Sequence, residues 1–361
     1  MLTMKDDSAH LKSTLQNLLD KMLKLGASDL HLTVGAPPLF RIDGKLKEAK
    51  ADTLDAADTL KLAYSIMSND QRKRFEKHHE VDFAFSVTDV ARFRANIFVQ
   101  SGYTACAFRL IPETPRSLKE LGLPPVVEKL VERPNGLILV TGPTGSGKST
   151  TLAAMVDKIN SEQEFHIITI EDPIEYIHTR KKSIVSQREV YQDTESFASA
   201  LKVTVRQDPD VVLVGEMRDY ETVQTALTVA ETGHLTLATL HTNSAARTIN
   251  RIIDIFPAEH KSAIRSQLSM VIEGVVSQVL LPRIGGGRIL ACEVLVATPA
   301  VRSLIRENKV YQIPGIMEIS QQYGMQSLND SLVDLVKQKL VEKSDALSQS
   351  PDPEQLQNLI K

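Results

Sequence analysis

One stretch constrains this chain more than any other. A short apolar run, Gly136 to Thr141, leads into Gly142-Pro143-Thr144-Gly145-Ser146-Gly147-Lys148-Ser149, and a helix pattern follows. A buried strand that passes through G-x-x-x-x-G-K-[ST] into a helix is a phosphate loop. The glycines let backbone N–H groups wrap the phosphates, and the following helix points its positive end at them. Lys148 then reaches the β and γ phosphates, and Ser149 can ligate Mg²⁺. The expected nucleotide-binding residues are Gly142, Pro143, Thr144, Gly145, Ser146, Gly147, Lys148, Ser149 and Thr150.

Such a loop needs a parallel sheet behind it. Gly136 to Thr141, Ile167 to Ile170, Val211 to Gly215 and His234 to Leu240 are short, nearly continuous apolar runs separated by helical patterns. That is how strands buried on both faces with crossover helices read. Glu216 closes the third run, where such folds orient Mg²⁺ and water. Glu171-Asp172-Pro173-Ile174-Glu175 puts three carboxylates within five residues. They repel one another unless a cation or a donor sits among them, and magnesium with an attacking water would supply both. The metal-site candidates are therefore Ser149, Glu171 and Glu216, partly through water. His234 and His241 flank the fourth run, one at each end, and no cysteine or nearby histidine completes a metal site with them. They read either as structural histidines or as phosphate-sensing or subunit-coupling ones.

The region before the loop has a different character. Leu11 to Leu25 has one apolar helix face ending at Gly26, and Asp29 to Val34 alternates as a strand. Phe40 to Ile42 and Lys45 to Lys47 form a hairpin across Asp43-Gly44. Leu54 to Phe75 is predicted as helix, and Val81 to Val87, Ala91 to Gln100 and Thr104 to Ile111 as three antiparallel strands. The result is an α+β domain over residues 1–112. Four prolines between Pro112 and Pro125 mark a linker, placed at 113–130, and an α/β domain fills 131–361. The tail after Ser344 is expected to be loosely held before a last short helix. Arg92, Arg94 and Arg109 lie on adjacent strands of the first domain, and Arg302 and Arg306 share one helix face. In a ring of subunits, arginines of one chain could complete the phosphate site of another.

Composition excludes several classes. Against 42 basic side chains stand 45 acidic ones, a net charge of -3, so the chain is not polybasic. Trp is absent and aromatics are 5%, which leaves little for stacking single-stranded nucleic acid. The two cysteines, Cys106 and Cys292, build neither a disulfide framework nor a four-cysteine zinc site. No apolar run approaches the ~18 residues that span a bilayer, and the N-terminus lacks a signal-peptide core. A cytoplasmic protein without direct membrane insertion is expected.

With these residues assembled, the chain resembles the secretion-type ATPases from about Leu15 to Leu340. The landmarks are Gly26-Ala27-Ser28-Asp29-Leu30-His31-Leu32, the phosphate loop, Thr169-Ile170-Glu171-Asp172-Pro173-Ile174-Glu175 and Val214-Gly215-Glu216-Met217-Arg218-Asp219. The histidine box from Thr232 to Ser244 and Ala300-Val301-Arg302-Ser303-Leu304-Ile305-Arg306 complete the set, with Val301 and Ser303 as departures. The resemblance implies a PAS-like N-terminal domain, a RecA-like C-terminal domain, a hexameric ring, and ATP with Mg²⁺ bound between the domains. It implies that Glu175 and Glu216 prepare or position water and that His241 takes part in catalysis. His234 would sense the nucleotide, and Arg94 and Arg109 would reach the phosphates. Arg302 and Arg306 fall in a segment tied to pilus retraction rather than to hydrolysis. Within the family the branch that retracts type IV pili is the better match. The chain leaves no room for the extension ATPase's extra domain, and its loop differs from that of the accessory retraction paralogue. Partners implied are a homohexamer, an inner-membrane platform protein at the pilus base, and other retraction or extension ATPases. An accessory paralogue, another secretion ATPase, a nucleic-acid translocase and a non-catalytic nucleotide-binding scaffold are the alternatives.

Overall fold

The structure, a computed structural model, describes residues 4–42, 44–87, 91–111 and 114–360. Contacts divide it into one unit ending at Thr114 and another beginning at Pro115.

The first unit opens with α1 (Met4–Lys24), which ends at Gly26 with a left-handed φ of 62°. Six antiparallel strands follow: β1 (Asp29–Leu32), β2 (Leu39–Ile42), β3 (Lys45–Glu48), β4 (Glu80–Val87), β5 (Ala91–Gln100) and β6 (Tyr103–Ile111). Their order is β3-β2-β1-β6-β5-β4. Period-2 alternation gives the sheet an apolar face, where Leu30, Phe40, Phe93 and Phe108 meet Leu15, Leu19 and Met22 of α1. The opposite face carries a cross-strand row of charges: Arg41, Asp29, Arg109 and Arg94 are successive partners on β2, β1, β6 and β5. The single helix expected from Leu54 to Phe75 is two, α2 (Ala56–Ile66) and α3 (Asn69–His78). Ser68 breaks it by capping the second helix reciprocally with Gln71, a local bond that outcompetes helix continuation. Asp43 of the expected hairpin turn lies outside the described residues, and the flanking strands pair Ile42 with Lys45.

In the second unit the expected linker is shorter than its prolines suggest. Pro112 and Glu113 lie outside the described residues. From Pro115 on, Leu118, Leu123, Val127, Leu130 and Val131 are buried in the unit's own core. Pro124 and Pro125 begin α4 (Pro125–Val131), where a missing N–H leaves no helix bond unmade.

Seven strands form the main sheet: β7 (Gly136–Thr141), β8 (His166–Glu171), β9 (Ile184–Glu189), β10 (Val211–Val214), β11 (Leu235–Leu240), β12 (Ile272–Pro282) and β13 (Arg288–Val296). The order is β13-β12-β7-β11-β10-β8-β9, parallel except for the last strand, β13, which returns antiparallel to β12. The crossover helices are α5 (Lys148–Glu162), α6 (Phe197–Thr204), α7 (Tyr220–Glu231), α8 (Ala245–Asp254) and α9 (Lys261–Val271). Leu137 and Leu139 face one apolar core, and Ile138 and Val140 face the other. Both faces of β7 are therefore covered, so its sequence is apolar throughout. This is the α/β layout expected for the C-terminal half.

After β13 come α10 (Pro299–Arg306), α11 (Ile313–Glu318), α12 (Leu328–Lys337), α13 (Lys343–Gln349) and α14 (Pro353–Leu359). The expectation of a loosely held tail is corrected here. Ala346 and Leu356 are fully buried against Leu281, Leu332 and Val341. Asn329 ties the tail down through the Asp352 carbonyl and Gln355. Arg302 is an internal strut: it donates to the carbonyls of Ala297, Ser269 and Met270 and pairs with Glu273 at 2.5 Å.

One buried group sets a pH limit. Burial pulls the His178 imidazole down to about 4, and its Nδ1 has no partner among the described residues. The fold keeps the neutral ring, so this stability is present above the unfolded value of ~6.5 and is lost as pH falls toward 4. The expected loss at pH 5 is about 2 kcal/mol, from ~1.4 kcal/mol per pH unit below 6.5. Chemical denaturation at pH 7 and pH 5 checks it: His178→Gln should flatten the difference, and an unchanged pH slope would contradict the assignment.

Candidate active site

The parallel register of the sheet brings the candidate residues to one edge. β7 ends at Thr141, and Leu240 of β11 is its direct partner, so Gly142 and His241 leave the sheet side by side. Val214 of β10 pairs with Ala238 of β11 and Ile170 of β8. Gly215, Glu216 and Glu171 therefore emerge at the same edge. Gly147 adopts a left-handed φ of 89° and starts α5, leaving the first N–H groups of that helix at the loop.

Lys148 extends along the loop and donates to the carbonyls of Gly142 at 2.8 Å and Pro143 at 3.1 Å. Burial pulls its ammonium below the usual lysine range, opposed by the negative charges of Glu216 and Glu175. Those two carboxylates are thus its electrostatic neighbours. Glu216 is 18% exposed; its Oε1 lies 3.0 Å from His241 Nε2 and 2.6 Å from Arg218 Nε. Its backbone is fixed by Thr239, whose hydroxyl donates to the Gly215 carbonyl. The geometry thus brings together Lys148, Glu175, Glu216 and His241. Ser149 is exposed at the start of α5, and Thr150 meets Tyr176 hydroxyl to hydroxyl at 3.1 Å.

Glu171 does not stand as a free metal ligand. Its carboxylate accepts from Thr169 at 2.7 Å and from Gln187 at 3.1 Å. Burial pushes it up to about 7, opposed by these bonds and by one from the Glu175 backbone. Its role in this geometry is to hold the turn that carries Glu175. His234 is also corrected. It precedes β11, at the opposite end of the sheet, roughly 20 Å along a six-residue strand from the phosphate loop. Its Nδ1 is engaged by the Val229 carbonyl and the Thr232 hydroxyl, so it cannot touch a nucleotide on its own chain's loop.

In the first unit Arg94 grips Asp82 through two nitrogens, and Arg109 donates to the buried Asp29 at 2.8 Å. Arg41, which the sequence did not single out, shares that aspartate at 3.7 Å. Also unanticipated was Gln278 of β12, whose amide donates to the Ser146 carbonyl inside the phosphate loop. The only sequence signal was a polar residue in an apolar run.

The residues fit a nucleotide. Gly142 leaves no space for a side chain, since a Cβ there would lie 2.3 Å from the Gln278 carbonyl oxygen. The loop is thus backed closely by β12, and the N-terminus of α5 opens at it, as a phosphate requires. Among the described residues no cluster of three His, Cys, Asp or Glu could hold a metal. Mg²⁺ taken up with phosphates needs none, because one protein hydroxyl or carboxylate commonly suffices.

Comparison with known proteins agrees. The family model described as type II/IV secretion system protein matches residues 4–323. The type IV pilus retraction ATPase PilT of Pseudomonas aeruginosa is 49% identical over 337 residues, covering 93% of this chain and 98% of that one. A twitching motility protein of Neisseria gonorrhoeae is 50% identical over 305 residues, covering 84% and 82%. The crystal structure of the pilus retraction motor PilT with bound ADP matches with a TM-score of 0.87 and 54% identity, covering 94% and 98%. The expected N-terminal α+β domain followed by a RecA-like ATPase domain stands on that match. The chain belongs to the type II/IV secretion system protein family.

Proposed function

We propose that this chain is a Mg²⁺-dependent ATPase that drives retraction of type IV pili and hence twitching motility. The observation that carries the reading is the convergence of Lys148, Glu175, Glu216 and His241 at the edge of the phosphate loop. Its support lies in the relatives, which are named for pilus retraction and share about half of the sequence over nearly its whole length. Gly142 to Gly147 would cradle the phosphates, with Lys148 on the β and γ groups. Ser149 would hold Mg²⁺, which when bound neutralises charge developing on the phosphates. Glu216, oriented by His241, would receive or direct the proton of the attacking water, with Glu175 positioned beside it by Glu171.

Arg94 and Arg109 would reach the phosphates from the N-terminal unit. Both already hold carboxylates, so an incoming phosphate would compete with Asp82 and Asp29 for them. Arg109→Ala is expected to lower kcat by at least tenfold with nucleotide affinity changed less than threefold, roughly what loss of a transition-state contact gives. Coupled phosphate-release kinetics check this, and an unchanged kcat would remove Arg109 from the site.

Assembly would be a homohexamer acting in the cytoplasm on an inner-membrane platform protein. Among the described residues no helix is long and apolar enough to cross a membrane. Steady-state phosphate release with and without Mg²⁺ tests the enzyme. Turnover that requires DNA would favour a translocase, and binding without turnover a scaffold.

A further inference from the structure

The back of the phosphate loop rests on β12 and β13. Gln278, only 2% exposed, donates from Nε2 to the Ser146 carbonyl at 2.7 Å. The Gln278 backbone carbonyl is the atom that excludes any side chain at Gly142. A Cβ on Gly147 would lie 3.3 Å from Gln278 Nε2 and 3.7 Å from Leu280. Arg288, at the start of β13, points its guanidinium toward the Gly145 carbonyl at 3.5 Å.

Two buried polar atoms at this joint, Gln278 Oε1 and Ser146 Oγ, have no partner among the described residues. β12 also buries the polar Ser277, which is satisfied by the Thr141 hydroxyl, but a carboxamide with one end unpartnered beside Val275, Val276, Val279 and Leu281 is costly compared with an apolar side chain. Its presence calls for a reason beyond packing.

The peptide plane supplies one. In a trans peptide the C=O and the following N–H point in opposite directions. Holding the Ser146 carbonyl against Gln278 therefore aims the Gly147 N–H the opposite way, away from Gln278. Backbone N–H groups at this point of the loop are the ones that wrap a phosphate.

We infer that Gln278 is a positioning residue of the nucleotide site, fixing the Ser146–Gly147 peptide so that the Gly147 N–H is presented to the phosphates. It touches no nucleotide itself. The inference rests on the nucleotide-binding reading above and extends it to a residue 132 positions away in the chain. Without the amide donor, the Ser146 carbonyl is freed to rotate, and the loop samples orientations in which that N–H is withdrawn.

The test uses the full chain with two variants, Gln278→Met, which keeps length and removes the donor, and Gln278→Glu, which replaces the donor with an acceptor. Fluorescent ADP titration should show affinity lowered about tenfold in Gln278→Met, the scale of one misplaced donor. Gln278→Glu should lose more, because its charge opposes the phosphates. The nucleotide-free unfolding temperature of Gln278→Met should stay near the parent's, whereas Gln278→Glu, which buries an unpaired carboxylate, should also unfold earlier. A purely structural role would instead lower the unfolding temperature of Gln278→Met and leave the affinity of the folded fraction intact. Parent-like affinity in either folded variant overturns the inference, as does failure of both variants to fold. A parent chain that binds no ADP would overturn the nucleotide reading itself, which the same titration reveals first.

Discussion

Glu216→Gln should bind ATP about as well as the parent chain while steady-state phosphate release falls by at least ~10²-fold, the scale of losing a general base or water-orienting carboxylate. The substitution preserves size and can keep a hydrogen bond to His241, which lies 3.0 Å from Glu216 Oε1. What it removes is the charge. Glu216 is the larger of the two negative influences that oppose the burial of Lys148. Its loss leaves the lysine, which binds phosphate, still held by the Gly142 and Pro143 carbonyls, so binding survives. The water, however, loses the acceptor that would take its proton. Nucleotide titration beside a phosphate-release assay separates the two effects. Parent-like turnover would remove Glu216 from the chemistry and shift attention to Glu175.

The second large effect is expected at Gly142. Its φ of 144° belongs to the region that side chains rarely adopt. Gly142→Ala adds a Cβ 2.3 Å from the Gln278 carbonyl oxygen and 2.6 Å from the Ser146 hydroxyl. The hydroxyl can turn aside. The carbonyl cannot, because it belongs to β12, which is paired with β7 on one side and β13 on the other. Backbone strain and overpacking together predict a loss of about 2–5 kcal/mol of stability. Because the displaced backbone is the phosphate cradle, nucleotide affinity should fall with it, by at least ~100-fold for about 3 kcal/mol of distortion. Gly145→Ala is the control. Gly145 also has a positive φ, 79°, but nothing lies within 4 Å of its Cβ position, so the cost is limited to about 1–2 kcal/mol. Equal stability of the two variants in chemical denaturation would contradict the tight joint between loop and hairpin.

How much of this was legible in the sequence follows from how local each feature is. The phosphate loop is a contiguous octapeptide between a buried strand and a helix, so its conformation is written in its own glycines. Glu216 and His241 could be placed because parallel strands align their C-terminal ends, and each residue follows such a strand. The same rule excludes His234, which precedes its strand; its nucleotide role came from the resemblance alone, although the sequence already places the two histidines at opposite ends of the run. Glu171 ends a strand too. Yet Thr169, two residues earlier on the same face, and Gln187, on the neighbouring β9, claim its carboxylate. Those partners depend on which strand pairs with β8, and composition does not encode that. Gln278 was invisible for a similar reason, since its partner lies in a distant segment joined only by the β12–β7 register. The tail after Ser344 looked loose because its residues are polar. Only Ala346 and Leu356 anchor it deeply, and two side chains are too few to form a pattern.

The central claim, that ATP hydrolysis at this loop powers retraction, is tested most directly in cells. Replacing the chromosomal gene with its Glu216→Gln form and imaging labelled pili should show pili that extend and stay extended, with surplus pili on the surface. Cells without pili, or pili that still retract at the parent rate, would contradict it.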